Sequence, residues 1–459
     1  SSDAGVLDAV RALRETVPDA FVLVSFAVLP DGYTREGRHC AELVRSMTAC
    51  SAVDAVGLNC VSAPGAMRAL VQQLGETKLP LAVMPNAGYP VVTRTRVQYQ
   101  GRPEYFAREL ARLAAEGVRI LGGCCGTTPA HIAALRAALD ALPETLPAAP
   151  AAAVSTAAKP EVEKNDAFLR KLNAGKKVIA IELDSPKDAD LTGYLDGARR
   201  LQAAGADLLT IADCPIARAR MDSSLVACRV HRELGLNVLP HMTCRDRNLN
   251  ATKALLLGLY AEGVREVLAI TGDPIPTAER DEVKNVYQFN SRKLAQYIVS
   301  LAGEGREMPS PLTVFGALNL NARNFDVELR RAQEKLQNGM SGFLTQPVLS
   351  AQAVVNLKKT RETLGEKAKI LAGIMPVVSQ RNAIFMENEV KGIHVDAEII
   401  ERFAGLDRAQ GEELGLEVSV KAAQAAAPYA DGFYLMTPFN RIALMERLIA
   451  RLKDEGIAD

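Results

Sequence analysis

Three cysteines and one glutamate carry the clearest chemistry in this sequence. Cys60 ends the run Val-Gly-Leu-Asn-Cys, and Cys124 and Cys125 sit in Leu-Gly-Gly-Cys-Cys-Gly. Three thiolates converging at strand ends suit a catalytic Zn²⁺ site, which keeps its fourth position open for substrate. The flanking glycines allow a sharp turn and close backbone approach. A lone cysteine is usually a small core residue; an adjacent pair in a Gly-rich strand end, with a third at another strand end, reads as a ligand set. Glu182 interrupts the apolar run Val-Ile-Ala-Ile-Glu-Leu. An ionised carboxylate there is costly unless paired, so a raised pKa is expected, which suits a general acid near neutral pH. The plainer reading is an ion-paired structural acid in a barrel mouth.

Glu182 opens a series of apolar runs that must position it. After Val178–Leu183 come Asp207–Asp213, Asn237–Thr243, Glu266–Gly272, Thr313–Asn319, Gly342–Val348, Lys369–Pro376 and Asp431–Pro438, separated by helical patterns. Eight strands alternating with helices predict an α/β fold, a C-terminal (β/α)8 TIM barrel. The runs end in polar residues: Asp213, His241 with Thr243, Gly272 with Asp273, Asn319, Gln346 and Thr437. Active sites of such barrels lie at the C-terminal strand ends. Gly272 admits close approach of a flat ligand and Asp273 sets a charge beside it. The Gln346 amide suits the edge of a heterocycle. His241 alone reads better as a satisfied structural residue than as a site residue. No Walker or Gly-x-Gly-x-x-Gly pattern occurs.

Residues 1–145 repeat the alternation with four runs, Phe21–Val28, Ala55–Cys60, Leu81–Asn86 and Val118–Gly123, and so predict a partial (half) TIM-type βα unit. The Ala- and Pro-rich stretch Pro143–Pro160 has no amphipathic period and predicts a linker at 146–164. The barrel domain is then 165–459, led in by a helix carrying Phe168, Leu169 and Leu172. Charge is balanced, 54 basic against 54 acidic residues, which gives no electrostatic argument for nucleic acid or a membrane surface. Neither a membrane-length apolar run nor a signal-peptide pattern is present, and eight cysteines in so long a chain suit a reducing, cytoplasmic setting. The sequence opens on Ser1, so it is read as beginning inside a longer polypeptide.

The motifs Gly57–Cys60 and Gly122–Gly126, continued by Thr127, Thr128, Pro129 and His131, resemble those of the homocysteine S-methyltransferase family. That resemblance implies zinc on Cys60, Cys124 and Cys125 holding the thiolate of homocysteine, and it covers only the later half of that family's barrel. From about Lys177 onward the chain resembles the methylenetetrahydrofolate reductase family, with Ile-Glu-Leu, Pro-His-Met-Thr-Cys, Ile-Thr-Gly-Asp-Pro, Leu-Thr-Gln-Pro, Gly-Ile-Met-Pro-Val and Phe-Asn-Arg in order. This second resemblance implies a flavin, FAD or else FMN, and ping-pong hydride transfer from NADH or NADPH to methylenetetrahydrofolate, giving 5-methyltetrahydrofolate. It implies Glu182 as general acid and Asp273 as the carboxylate near the flavin. Gln346 and Arg441 are implied as folate contacts, and His241, Thr243, Gly272, Asn319 and Lys335 as flavin-side residues, Lys335 toward a phosphate. The chain departs from the second family where Gln380 replaces a frequent aromatic and Leu318 a frequent Tyr. The expectation is a two-unit, homo-oligomeric enzyme of one-carbon metabolism. Its alternatives are a zinc methyltransferase using folate as methyl donor and a non-catalytic folate-binding subunit.

Overall fold

The structure is a computed structural model that describes residues 3–29, 32–34, 38–60, 63–75, 77–88, 90–92, 97–99, 101–142, 166–276, 282–303, 306–390 and 392–458. It divides into two compact units, Ser1–Pro160 and Glu161–Asp459. The linker expected at 146–164 lies outside the described residues.

In the first unit β1 (Leu23–Phe26), β2 (Ala55–Asn59) and β3 (Leu81–Met84) pair in parallel. A short antiparallel hairpin follows, β4 (Pro90–Val92) with β5 (Val97–Tyr99), and then β6 (Ile120–Leu121) joins β3, giving the sheet order β1-β2-β3-β6. All four apolar runs became strands of one sheet; the hairpin between them was not foreseen. Val24, Val56, Leu58 and Val83 pack into one core with Met67 and Leu70 of helix Pro64–Leu74. Helices Pro103–Ala115 and Pro129–Asp140 each begin with proline, whose fixed φ and missing N–H suit a first helical position. Thr128 precedes the second, and its backbone N–H donates to His131 Nδ1 at 3.2 Å. His131, part of the cysteine motif's continuation, therefore closes a cap.

The second unit is a closed barrel of eight parallel strands: β7 (Val178–Glu182), β8 (Leu208–Ile211), β9 (Asn237–Thr243), β10 (Glu266–Ile270), β11 (Thr313–Leu318), β12 (Gly342–Pro347), β13 (Lys369–Ile374) and β14 (Gly432–Met436). Closure is made by β14 on β7, with Met436 opposite Glu182. Val178, Ala180, Leu208, Leu239, Leu268, Phe315, Leu344, Leu371 and Tyr434 form one interior cluster. Because side chains alternate along a strand, the parity that sends Val178 and Ala180 inward also sends Glu182 inward, at the C-terminal end. Helix Ala167–Asn173 is capped by Asp166, whose carboxylate accepts the Leu169 N–H at 2.8 Å. It presses Phe168 and Leu172 into the opposite end of the cluster and closes the barrel there. The fold is thus α/β, a (β/α)8 TIM barrel preceded by a four-stranded parallel βα unit. Among the described residues no helix is long and apolar enough to cross a membrane.

Candidate active site

Glu182 is the last residue of β7, with 24% of its side chain exposed toward the mouth. Its carboxylate accepts a hydrogen bond from the Tyr434 hydroxyl. Burial pushes its pKa up to about 7; the Tyr434 bond works against that shift and the nearby Asp184 charge adds to it. His241 Nε2 lies 3.9 Å from the same carboxylate. Burial lowers His241 to about 3, so the ring is neutral at ordinary pH. Among the described residues its Nε2 is buried without a hydrogen-bond partner. Buried polar atoms are rarely left so, and this one marks a place for a ligand group. Behind Glu182 its backbone carbonyl accepts from the Thr437 hydroxyl at 2.6 Å, tying β7 to the loop after β14.

The loops after β8, β9 and β10 form a second polar layer. Asp213, buried after β8, accepts from the Thr243 N–H and hydroxyl, each at 3.0 Å, and from Arg247 at 2.9 Å. The Thr243 hydroxyl thus donates to Asp213 and has its lone pairs left as acceptors. Gly272 has φ 90°, and a Cβ there would meet Thr243 Cβ at 2.9 Å, so the turn needs glycine on both counts. Asp273 follows it, exposed, with Oδ2 accepting the Ile216 N–H at 2.9 Å.

Of the remaining expected residues, Gln346 is the penultimate residue of β12, where the register against β13 shifts between Leu344 and Pro347. The Asn319 side-chain oxygen accepts the Asn321 N–H at 2.9 Å just beyond β11. Arg441 follows the turn Pro438–Asn440, pairs with Glu412 at 2.9 Å and lies 5.8 Å from the Phe439 ring centroid. Lys335, in helix Phe325–Gln337, donates to the Ala317 carbonyl at 2.6 Å, with the Phe343 ring 5.9 Å away. Phe343 has the opposite parity to inward Leu344, so Lys335 lies in the helix layer outside β11 and β12 and is not brought together with Glu182 and His241. Burial lowers the Lys335 pKa.

In the first unit the sulfurs of Cys60, Cys124 and Cys125 lie within 4.8 Å of one another, with Cys60 and Cys125 at 3.6 Å. This spacing and donor set fit one tetrahedral cation with an open position. Cys60 takes a left-handed φ of 57°, and Asn86 Oδ1 accepts the Cys125 N–H at 3.2 Å, which fixes the Cys-Cys turn. A shallow depression lined by Gly123, Cys124, Thr127, Pro129, Ile132 and Arg136 opens beside the thiols.

The sequence reading passed over Tyr434, Arg245 and Arg247. Tyr434 stands in Gly-Phe-Tyr-Leu and reads as core; only the β14–β7 register, Tyr434 opposite Ala180, shows that its hydroxyl can reach the residue beyond. One signal links both units. The described non-glycine residues with positive φ are Cys60, Cys214, Ile216, Ala217, Tyr287, Phe439 and Asn440, and every one lies in a loop after a strand's C-terminal end. Such strain persists where surroundings over-determine it, and it concentrates at functional sites.

The homocysteine S-methyltransferase family model matches residues 4–139, and the methylenetetrahydrofolate reductase family model matches residues 167–453. Methionine synthase of Mycobacterium tuberculosis is 37% identical over 160 residues, 29% of this chain and 13% of that protein. Homocysteine S-methyltransferase of Escherichia coli is 34% identical over 133 residues, 28% of this chain and 43% of that one. The chain spans less than half the length of these curated relatives. A solved protein of Clostridium thermocellum, described as binding two copies of 5-methyl-5,6,7,8-tetrahydrofolic acid, is 13% identical with a TM-score of 0.45, covering 63% of this chain and 98% of that one. Matched over more than half its length by the second of these models, the chain belongs to the methylenetetrahydrofolate reductase family.

Proposed function

We propose that the barrel unit, 165–459, reduces methylenetetrahydrofolate to 5-methyltetrahydrofolate with NADH or NADPH through a bound flavin, FAD or FMN. The observation that carries this reading is an inward carboxyl group whose pKa of about 7 keeps much of it protonated near neutrality, beside a neutral imidazole. The flavin supplies the hydride when bound, and the orphaned His241 Nε2 at the mouth fits a polar edge of such a group. Glu182 gives its proton to the folate nitrogen as the methylene bridge opens. Tyr434, donating to Oε2, favours the proton on the other oxygen and then stabilises the carboxylate that remains. Asp273, one oxygen held by Ile216, sets a negative charge beside the cation that develops on the folate. Gln346 and Arg441 bind the folate, Gln346 through its amide and Arg441 by the guanidinium edge not taken by Glu412. Thr243, Gly272 and Asn319 are the flavin-side residues of this reading; Lys335, held by the Ala317 carbonyl in the outer helix layer, is not among them.

The segment 1–145, joined through the linker 146–164, holds zinc on Cys60, Cys124 and Cys125, and zinc would ionise the thiol of homocysteine for methyl transfer. Without a cation, burial followed by the hydrogen bond with Cys60 pushes Cys124 up to about 11, so metal uptake must release protons.

The test is stopped-flow spectroscopy of the flavin-loaded chain. NAD(P)H should bleach the flavin and methylenetetrahydrofolate restore it; Glu182→Gln should keep the bleaching and lose roughly 10²–10⁴-fold in the folate step. Unaffected folate reduction in that variant would sink the assignment of Glu182, and a chain that never takes up FAD or FMN would sink the reductase reading.

A further inference from the structure

Arg245 follows Thr243 and Cys244 at the end of β9, and only 2% of its side chain is exposed. A charged side chain is seldom so enclosed without a specific task. Its guanidinium reaches three loops. Nε and Nη2 clasp Asp246 at 2.8–3.0 Å, Nη1 donates to the Asp273 carbonyl at 3.3 Å, and Nη2 donates to the Cys214 carbonyl at 3.4 Å. Its own carbonyl accepts the Val286 N–H at 2.7 Å, and Tyr287 next in line donates its hydroxyl to the Asp273 carbonyl at 3.1 Å.

Two of these bonds meet in one consequence. Cys214 opens a turn in which Cys214, Ile216 and Ala217 have φ of 48°, 58° and 57°. A left-handed conformation is a genuine outlier for β-branched Ile216, whose side chain is 70% exposed and gains nothing from burial. Something outside the turn must hold it. The product of the turn is the Ile216 N–H aimed at Asp273 Oδ2, 2.9 Å away. Arg245 grips both sides of that bond, the donor's turn through the Cys214 carbonyl and the acceptor's backbone through the Asp273 carbonyl.

We propose that Arg245 is a positioning residue: one buried guanidinium clasps the loops after β8 and β10 so that the strained Cys214–Ala217 turn fixes the Asp273 carboxylate toward the mouth. Its mechanistic weight rests on the reading of Asp273 as the carboxylate that stabilises the developing cation. A lysine cannot replace it, because a single ammonium on a flexible stem does not span two carbonyls and a carboxylate in a fixed fork.

The test uses the full chain carrying Arg245→Met, and hydrogen exchange resolved by peptide. Exchange of residues 214–217 should accelerate about tenfold or more, as for local opening of a bond that has lost its support, while the Thr243 amide, held by Asp213, keeps its rate. In the flavin-loaded variant, bleaching by NAD(P)H should stay within about twofold and reoxidation by methylenetetrahydrofolate should slow roughly tenfold, as for a misplaced catalytic group. Unchanged exchange at 214–217 in the folded variant overturns the clasp, as does equal slowing of both half-reactions. Should the Met variant not fold, Arg245→Lys carries the same test with the same two outcomes. If the chain binds no flavin the proposed reaction falls, yet the exchange measurement still decides the clasp.

Discussion

Glu182 and Glu266 sit at opposite ends of the same barrel. One is the last residue of β7 and the other the first of β10. Burial is the largest cause of a raised pKa at both. Their surroundings then diverge. Glu266 is 1% exposed, and after burial its shift comes from the carboxyl of Asp166, the residue that caps helix Ala167–Asn173. Asn237 there donates to Asp166 at 3.0 Å. Glu182 has a donor in Tyr434, a neutral imidazole 3.9 Å away and an opening to the mouth. A raised pKa therefore records enclosure at both ends; reach to a ligand separates an acid that can act from one that is sealed in.

The comparison breaks most sharply in activity. Glu266→Gln should leave folate reduction within about twofold, whereas Glu182→Gln should remove roughly 10²–10⁴-fold, both read by stopped-flow reoxidation. A large loss in Glu266→Gln with an unchanged fold would erase the distinction. Next in size is the pH profile: folate-dependent reoxidation should fall as pH rises through about 7, where Glu182 loses its proton, and Glu266→Gln should not move that inflection.

Stability should show the likeness of the two ends. A folded-state pKa raised above the unfolded one means the fold favours the protonated acid; that contribution is whole below the unfolded value and is lost as pH rises through the folded one. For Glu182 the window runs from about 4.5 to about 7, so Glu182→Gln should gain roughly 3 kcal/mol at pH 8 and little at pH 4. Glu266→Gln should gain in the same direction. Denaturant midpoints at the two pH values check both, and a loss at pH 8 in either variant would contradict the burial argument. The smallest effect on the barrel should come from the other unit: Cys124→Ser should abolish zinc uptake, measured by metal analysis, and leave both flavin half-reactions unchanged.

The eight strands of the barrel were legible because both of its faces are covered, which turns each strand into a near-continuous apolar run. Glu182 was legible for the same reason, as the one charge in Val178–Leu183. Glu266, by contrast, opens a run and looks like an ordinary boundary residue, although the fold buries it fully. Tyr434 was hidden because its ring belongs to the core and only its hydroxyl belongs to the site. Arg245 was hidden because, beyond the adjacent Asp246, its partners are carbonyls of residues 31 and 28 positions away, and carbonyls have no sequence signature. The left-handed turns were invisible too, since Cys214-Pro215-Ile216-Ala217 contains no glycine to announce them. The hairpin of β4 and β5 is only three residues on each side and carries too little pattern to stand out.

Helix Ala167–Asn173, which seats Phe168 and Leu172 in the barrel floor, has a consequence for traffic. A vessel stopped at one end admits everything through the other. In the proposed reaction, nicotinamide, pterin and the water that returns a proton to Glu182 would all enter by the one doorway at the C-terminal strand ends.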